Sequence, residues 1–424
     1  MYYGDAMNQP DEASRWKSSA DQATVVHALE PFPEEVRKTI FLAGPTPRGE
    51  GKSWRPAMIE LLNRYGFDGH IFVPEPKNGR WAEEYTDQVE WEEEALHRAD
   101  GIIFWVPRDI EGKINGYAMP AFTTNDEWGF WKDSGKAVWG NPPFAEKVRY
   151  QQHYAKKFGV PLEMYPHTTA QAAIKLVGEG ALRRGGECQV PLHIWRKPEF
   201  QAWYEAQKAA GNRLDGARVV WSFRVPPPDF NDSGKSPARL FLYALHVDVH
   251  IGAENRHKTN EVVIFRPDIA SVVLYHRPPP SYDRLQATQV VLVKEYRSPI
   301  RNSDGFVYEL PGGSSAKDQP IEEVALHEVE EEVGLKLDSS RLRFVGQRQI
   351  GATLSAHTGA LYAVELTDEE LATLTAQAAS GATRGVVEDT ERTYTVVVPF
   401  GKVMAEQLVD WSQLGMIYNA LTTG

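Results

Sequence analysis

Three short apolar runs, each followed by a stretch of helical periodicity, constrain the fold of this chain more than any other feature. Residues 38–67, KTIFLAGPTPRGEGKSWRPAMIELLNRYGF, read as a buried strand ending in Gly44-Pro45, a loop, and a helix opening near Trp54-Arg55-Pro56. His70 to Pro76 (HIFVPEP) is a second strand, WAEEYTDQVEWEEEALHRAD a second helix, and Gly101 to Pro107 (GIIFWVP) a third strand. Strands alternating with helices predict a parallel, doubly wound α/β sheet of Rossmann or flavodoxin type, which binds ligands beyond the carboxyl ends of its strands. The residues that follow each strand are therefore the site candidates: Gly44, Pro45 and Arg48, then Pro74 and Glu75, then Trp105 and Pro107. Pro74 and Pro107 end strands whatever the function. The segment TTNDEWG, Thr123 to Gly129, opens the next helix and brings Asn125 and Glu127 to the same edge. A carboxylate in a first helical turn is favoured by the helix dipole, which holds its pKa down and keeps it available as a nucleophile. That points to Glu127, and Glu92 on the preceding helix supplies a second carboxylate.

A different pattern occupies Tyr308 to Leu335, YELPGGSSAKDQPIEEVALHEVEEEVGL. Val324, Ala325, Val329 and Val333 recur at helical spacing and predict one apolar stripe packed on a sheet. Glu328, Glu331 and Glu332 fall at i, i+3 and i+4, so three carboxylates share one patch of that helix. A divalent cation relieves their repulsion, and Mg²⁺ (or Mn²⁺) prefers a few carboxylates together with water and phosphate oxygens. Pro311-Gly312-Gly313 before the helix lets backbone approach a ligand, and Gly334 is placed to end it. Strand-rich segments precede this helix (ARVVWSFRV, LFLYALHVDVHIG, NEVVIFRPDIASVVLYH, TQVVLVKEYRSPI) and follow it (FVGQRQIGATLSAHTGALYAVEL), so a mixed sheet with helices is expected.

Composition sets outer bounds. A chain of 424 residues has room for two or three domains, and 42% hydrophobic with 25% charged residues is ordinary for a globular protein. The single cysteine, Cys188, excludes an internal disulfide framework and suits a reducing, cytoplasmic setting. No apolar run approaches the ~20 residues of a membrane span. The formal charge of −12 argues against long nucleic acid, whose backbone needs a basic surface, while leaving small nucleosides and nucleotides as ligands. A homo-oligomer, a dimer, is expected.

The N-terminal features resemble the nucleoside 2-deoxyribosyltransferase family, in its "like" branch, through FLAGP (41–45), SWRP (53–56), QVEWEEEAL (88–96), FWVPRD (104–109) and TTNDEWG (123–129). The resemblance implies that Glu127 attacks the anomeric carbon of a nucleoside and that Glu92 assists the departing base. The aspartate that the family carries six residues before its nucleophile is replaced here by Ala121. The C-terminal segment resembles a Nudix box, G-x5-E-x7-R-E-U-x-E-E-x-G-U, with Gly313, Glu328, Val329, Glu331, Glu332, Gly334 and Leu335 in register; Gln319 and His327 stand where the first Glu and the Arg belong. That resemblance, closest to the ADP-ribose pyrophosphatase branch, implies an α/β/α sandwich with a mixed sheet. It also implies metal ligation by Glu328, Glu331, Glu332 and Gly313, nucleotide contacts from Arg297 and Glu309, and a base or extra ligand among Glu388, Asp389 and Glu391 on the loop before the last strand.

The domains expected are a flexible leader (1–36), a deoxyribosyltransferase-like domain (37–165), a helical connector (166–214) and a Nudix domain (215–424). The function expected is a bifunctional nucleotide-processing enzyme, hydrolysing an ADP-ribose-like compound with Mg²⁺ in one half and cleaving or transferring at an N-glycosidic bond in the other. The alternative is a regulatory protein whose altered box senses a nucleotide and gates the N-terminal domain.

Overall fold

Strands that are apolar without alternation must be covered on both faces, and the first sheet obeys this rule. In the computed structural model, which describes residues 22–47, 51–77, 84–114, 116–225, 238–280, 283–314, 319–385 and 392–423, the chain divides into two compact units, Met1–Val263 and Ile264–Gly424.

The first unit's parallel sheet is built of β1 (Thr24–His27), β2 (Thr39–Ala43), β3 (His70–Val73), β4 (Gly101–Trp105), β5 (Ala137–Gly140) and β6 (Leu162–Glu163). They pair in parallel in the order β1-β3-β2-β4-β5-β6. Between and after them lie α1 (Arg55–Arg64), α2 (Tyr85–Arg98), α3 (Phe122–Trp131), α4 (Arg149–Lys157) and α5 (Pro166–Val177). Phe41, Ile102, Phe104 and Trp139 enter one core with α2 and α3, while Ile40, Leu42, Ile103 and Val138 enter the other with α1 and α5. Leaving β1 aside, the order is that of a flavodoxin-like sheet. Its winding reverses between β2 and β4, which fixes the place where a crevice opens.

Two segments lie differently from the sequence expectation. Thr24–His27, inside the expected leader, is an edge strand in register with His70–Val73. Helix α5, inside the expected connector, buries Ala170, Ala173 and Val177 against the sheet. The chain beyond it is tied down by a buried ion pair: Arg183 donates to both oxygens of Asp100, at 2.9 and 2.6 Å, and Asp100 also accepts from the Thr39 and Leu192 amides. Helix α6 (Pro198–Ala209) follows, then an antiparallel sheet of β7 (Arg213–Val225), β8 (Arg239–Ile251) and β9 (Arg256–Phe265).

The second unit is a mixed sheet of β10 (Ile269–His276), β11 (Gln289–Tyr296), β12 (Phe306–Glu309), β13 (Gly312–Gly313), β14 (Arg343–Gln349), β15 (Thr358–Glu365), β16 (Thr383–Arg384) and β17 (Thr393–Pro399). Its main path runs β14-β15-β10-β11-β17-β16, with β12 on β11 and β13 on β10. Helix α7 (Ile321–Val333) sets Val324, Ala325, Val329 and Val333 into one core, as its spacing predicts, and Gly334 ends it in the left-handed conformation with φ +75°. Helix α8 (Asp368–Ser380) adds Leu374 to the same core, and the helices α9 (Phe400–Ala405) and α10 (Trp411–Thr422) enter a second one. No helix among the described residues is long and apolar enough to cross a membrane.

Candidate active site

At the point where the winding reverses, the chain leaving β2 nearly touches the chain leaving β4. Gly44 has φ +148°, and a Cβ on it would lie 2.3 Å from the Trp105 carbonyl oxygen and 2.8 Å from the Trp54 ring. Only glycine fits there. The Pro45 carbonyl accepts from Trp54 Nε1 at 3.0 Å, which packs the loop onto the start of α1.

Arg55 opens α1 directly beneath this loop and is 1% exposed. Its guanidinium donates to the carbonyls of Leu42 (3.0 Å) and Gly44 (2.7 Å), to Thr46 Oγ1 (3.1 Å) and to Glu75 Oε1 (2.5 Å). Ser53 Oγ donates to the same Glu75 oxygen at 3.0 Å. Two strand ends are thus pinned around one immobile positive charge.

That charge acts on Glu92 of α2 and Glu127 of α3, both half-buried. Burial pushes the Glu127 carboxyl up to about 8; the neighbouring Glu92 and Asp126 charges push the same way, and Arg55 pulls it down. Burial also raises Glu92, opposed by a hydrogen bond from Gln88 Nε2 (2.7 Å) and by Arg55. Here the structure corrects the sequence reading. Helix α3 begins at Phe122, so Glu127 stands in its second turn, and desolvation rather than the helix dipole decides its protonation. Ala121, just ahead of the helix, takes a left-handed backbone at φ +59°, a conformation Asp or Asn adopts more readily than Ala.

Asn125, one turn from Ala121, has its side-chain oxygen held by Arg108 Nη2 (2.5 Å) and Gln151 Nε2 (2.8 Å). Arg108 is 4% exposed, and burial lowers its pKa. Arg108 Nε, Gln151 Oε1 and Gln88 Oε1 are buried with no hydrogen-bond partner among the described residues. A dry, unpaired group costs about 1–3 kcal/mol, so water or polar ligand atoms belong beside them. Sequence reasoning singled out Glu92, Glu127, Asn125, Gly44, Pro45 and Trp105 but passed over Arg55, Gln88, Arg108 and Gln151. For Arg55 the signal was present, an arginine directly before the helix-opening proline, beside the glycine loop. Arg48 lies outside the described residues.

In the second unit, Glu332 is 6% exposed and accepts from the Gly312 amide at 2.9 Å. Burial pushes it up to about 8, with Glu328 and Glu295 adding to the rise. Glu328 lies against Gly313, where a Cβ would come within 2.3 Å of its carboxylate. Arg297 pairs with Glu295 at 2.8 Å and Glu309 at 3.4 Å. Glu331 is exposed, whereas Glu328 is half-buried and Glu332 buried. Among the described residues no group of three His, Cys, Asp or Glu side chains is arranged to hold a metal ion. Glu388, Asp389 and Glu391 lie outside the described residues, while Gln319 precedes α7 and His327 is exposed on it.

A flavodoxin-like sheet with a crevice at its switch point makes the first unit an α/β domain of a ligand-binding class, without naming the ligand's chemistry. The comparison with known families agrees: residues 37–143 match the family described as nucleoside 2-deoxyribosyltransferase like, and the match does not reach the second unit. No curated protein matches the chain.

Proposed function

We propose that the first unit cleaves, or transfers at, the N-glycosidic bond of a nucleoside or nucleotide, with Glu127 as nucleophile and Glu92 as the proton donor. The observation that carries this reading is the pair of carboxylates, both raised by burial, around the buried Arg55 at the switch point. The two carboxyls are coupled, so a proton on one favours ionisation of the other. The productive form is the one in which Glu92 holds it. Glu127 then attacks the anomeric carbon, the carbon–nitrogen bond breaks, its electron pair stays on the base, and Glu92 supplies the proton. Water or a second base displaces Glu127 in the next step, giving its proton to Glu92. Each step passes through an oxocarbenium-like state, as in retaining glycosidases. A 2-fluoro-2-deoxy nucleoside, which slows both steps, is expected to leave a glycosyl adduct on the Glu127 peptide by mass spectrometry. An adduct on Glu92 instead exchanges the two roles, and no base release from any nucleoside or nucleotide removes the reading.

A second reading concerns the second unit, where Glu328 and Glu332 close on the Gly312–Gly313 backbone beside Glu295 and Arg297. The donor set suits a divalent cation, because Mg²⁺ is commonly held by one or two carboxylates with water and substrate phosphates. Glu328 and Glu332, with the Gly313 carbonyl, would hold it, and when bound it supplies positive charge to phosphate oxygens. Arg297 has the planar donors that grip a pyrophosphate. The unit would then hydrolyse a nucleoside diphosphate linked to another moiety, ADP-ribose being the leading candidate, making the protein bifunctional. Chromatography of nucleotide sugars incubated with Mg²⁺ separates this from nucleotide sensing, which binds without forming a monophosphate.

A further inference from the structure

Ahead of Glu127, helix α3 starts on a backbone that its first residue disfavours. Among the described residues five that are not glycine have a positive φ, and two of these, Ala121 (+59°) and Lys147 (+49°), are joined through one buried arginine. Arg108 Nη1 donates to the Lys147 carbonyl at 3.0 Å and Nη2 to Asn125 Oδ1 at 2.5 Å, while Gln151 Nε2 from α4 donates to the same Asn125 oxygen at 2.8 Å. The Asn125 amide closes the first turn of α3 on the Ala121 carbonyl, at 3.2 Å. No described side chain caps the helix at Ala121. A left-handed alanine is strained because its Cβ crowds the following carbonyl, and such a backbone persists only where its surroundings enforce it. Here the grip on Asn125 does so, from two side chains that are 4% and 6% exposed. Further along, Trp128 packs on Phe104 and Trp139, with ring centroids 5.3 and 4.7 Å away. Glu127 thus lies between two anchors, Asn125 and Trp128.

We propose that Arg108 and Gln151 are positioning residues for Glu127: by clamping Asn125 they hold the strained first turn of α3, and with it the direction and enclosure of the Glu127 side chain. Trp128 ties the helix to the sheet from its own position onward, so the residues ahead of it depend on the clamp. Without the clamp the uncapped turn relaxes from Ala121 forward, and Glu127 is the last residue that the loosening reaches. Its carboxyl then meets water. The use of Glu127 as nucleophile rests on the N-glycosidic reading above; the clamp does not.

The test uses the full chain with Arg108→Met, Gln151→Leu, and each of these combined with Ala121→Asn, since Asn takes a left-handed backbone with less strain. Amide exchange in the first turn of α3 should quicken by ~10-fold in Arg108→Met and by less in Gln151→Leu. The Glu127 side chain, ¹³C-labelled, followed by NMR across pH and assigned with Glu127→Gln, should titrate below about 8 in both as water reaches it. A loss of overall stability alone would not move that titration. For base release, kcat should fall by ~10-fold with KM changing less, the mark of a displaced nucleophile. Ala121→Asn should recover part of each loss. If Arg108→Met does not fold, the Gln151→Leu pair decides. An unmoved Glu127 titration, or no recovery on adding Ala121→Asn, overturns the proposal. A wild-type protein that releases no base from any nucleoside defeats the N-glycosidic reading instead, and leaves the exchange and NMR results to decide the clamp.

Discussion

Two carboxyls in this protein, Glu127 in the first unit and Glu332 in the second, are both pushed up to about 8, with burial as the largest cause and a neighbouring glutamate adding to it. The surroundings differ in what compensates them. Glu127 feels a guanidinium fixed by four oxygen acceptors, whereas Glu332 takes a backbone amide, that of Gly312, and shares its vicinity with Glu328, Glu295 and an Arg297 that is itself paired with Glu295 and Glu309, so negative charge is in surplus there. A permanent cation suits chemistry that moves one proton between two acids. A cluster with surplus negative charge suits a cation that arrives with its substrate. The same shift in protonation therefore supports two kinds of site.

The largest expected effect breaks the first half of this comparison. Glu127→Ala should lower base release by ~10³-fold or more, the scale expected when a covalent nucleophile is lost. Mg²⁺-dependent hydrolysis should persist, because Glu332 is in the other unit. Base release at the wild-type rate would leave the first unit a binding module. Next in size, Glu332→Gln should reduce Mg²⁺-dependent hydrolysis by ~10²-fold or more while base release is kept. Glu331→Gln should cost less, since Glu331 is exposed where Glu332 is buried. Equal losses at the two positions would restore all three glutamates to one metal set.

A smaller effect is read on stability. The folded Glu127 carboxyl titrates near 8 against an ordinary value of 4.5, so between those values the folded state retains a proton the unfolded chain releases. Stability from this group is complete below pH 4.5 and is lost as pH rises through 8. Glutamine cannot ionise. Glu127→Gln should therefore match wild type near pH 4 and exceed it at pH 9 by about 1–2 kcal/mol, discounted for the solvent that reaches the group. Thermal melts at the two pH values measure this, and a pH-independent difference would mean that Glu127 is not raised.

Much of this was legible in the sequence because the signals were local. The strands TIFLA and GIIFW are unbroken apolar runs, and α7 carries its core stripe and its C-terminal glycine in plain spacing. Thr24–His27 was missed because an edge strand of four residues has no periodicity of its own; only its pairing with His70–Val73 makes it a strand. The direction of the Glu127 shift was misread for a related reason. A helix start is visible in sequence, but the burial that outweighs it is set by tertiary packing and leaves no local signal. Arg55 was quoted within its motif and not as a site residue, since its role depends on carbonyls and carboxylates that are far apart along the chain.

The smallest expected effect sharpens the difference between the two carboxylate pairs. If Glu328 and Glu332 await a divalent cation, Mg²⁺ should bind the folded second unit and not its unfolded chain, stabilising it by mass action. At roughly ten times Kd this amounts to about 1.4 kcal/mol. The first unit should gain nothing, because a cation near Glu92 and Glu127 would meet the fixed positive charge of Arg55. Amide hydrogen exchange separates the two without any substrate. Protection should rise in α7 and the Gly312–Gly313 segment on adding Mg²⁺ at pH 8, and remain unchanged in α2 and α3. Glu332→Gln should abolish the increase, and Glu127→Gln should leave it intact. Protection rising equally in both units would show that the ion acts on the protein's overall charge of −12 rather than at a site.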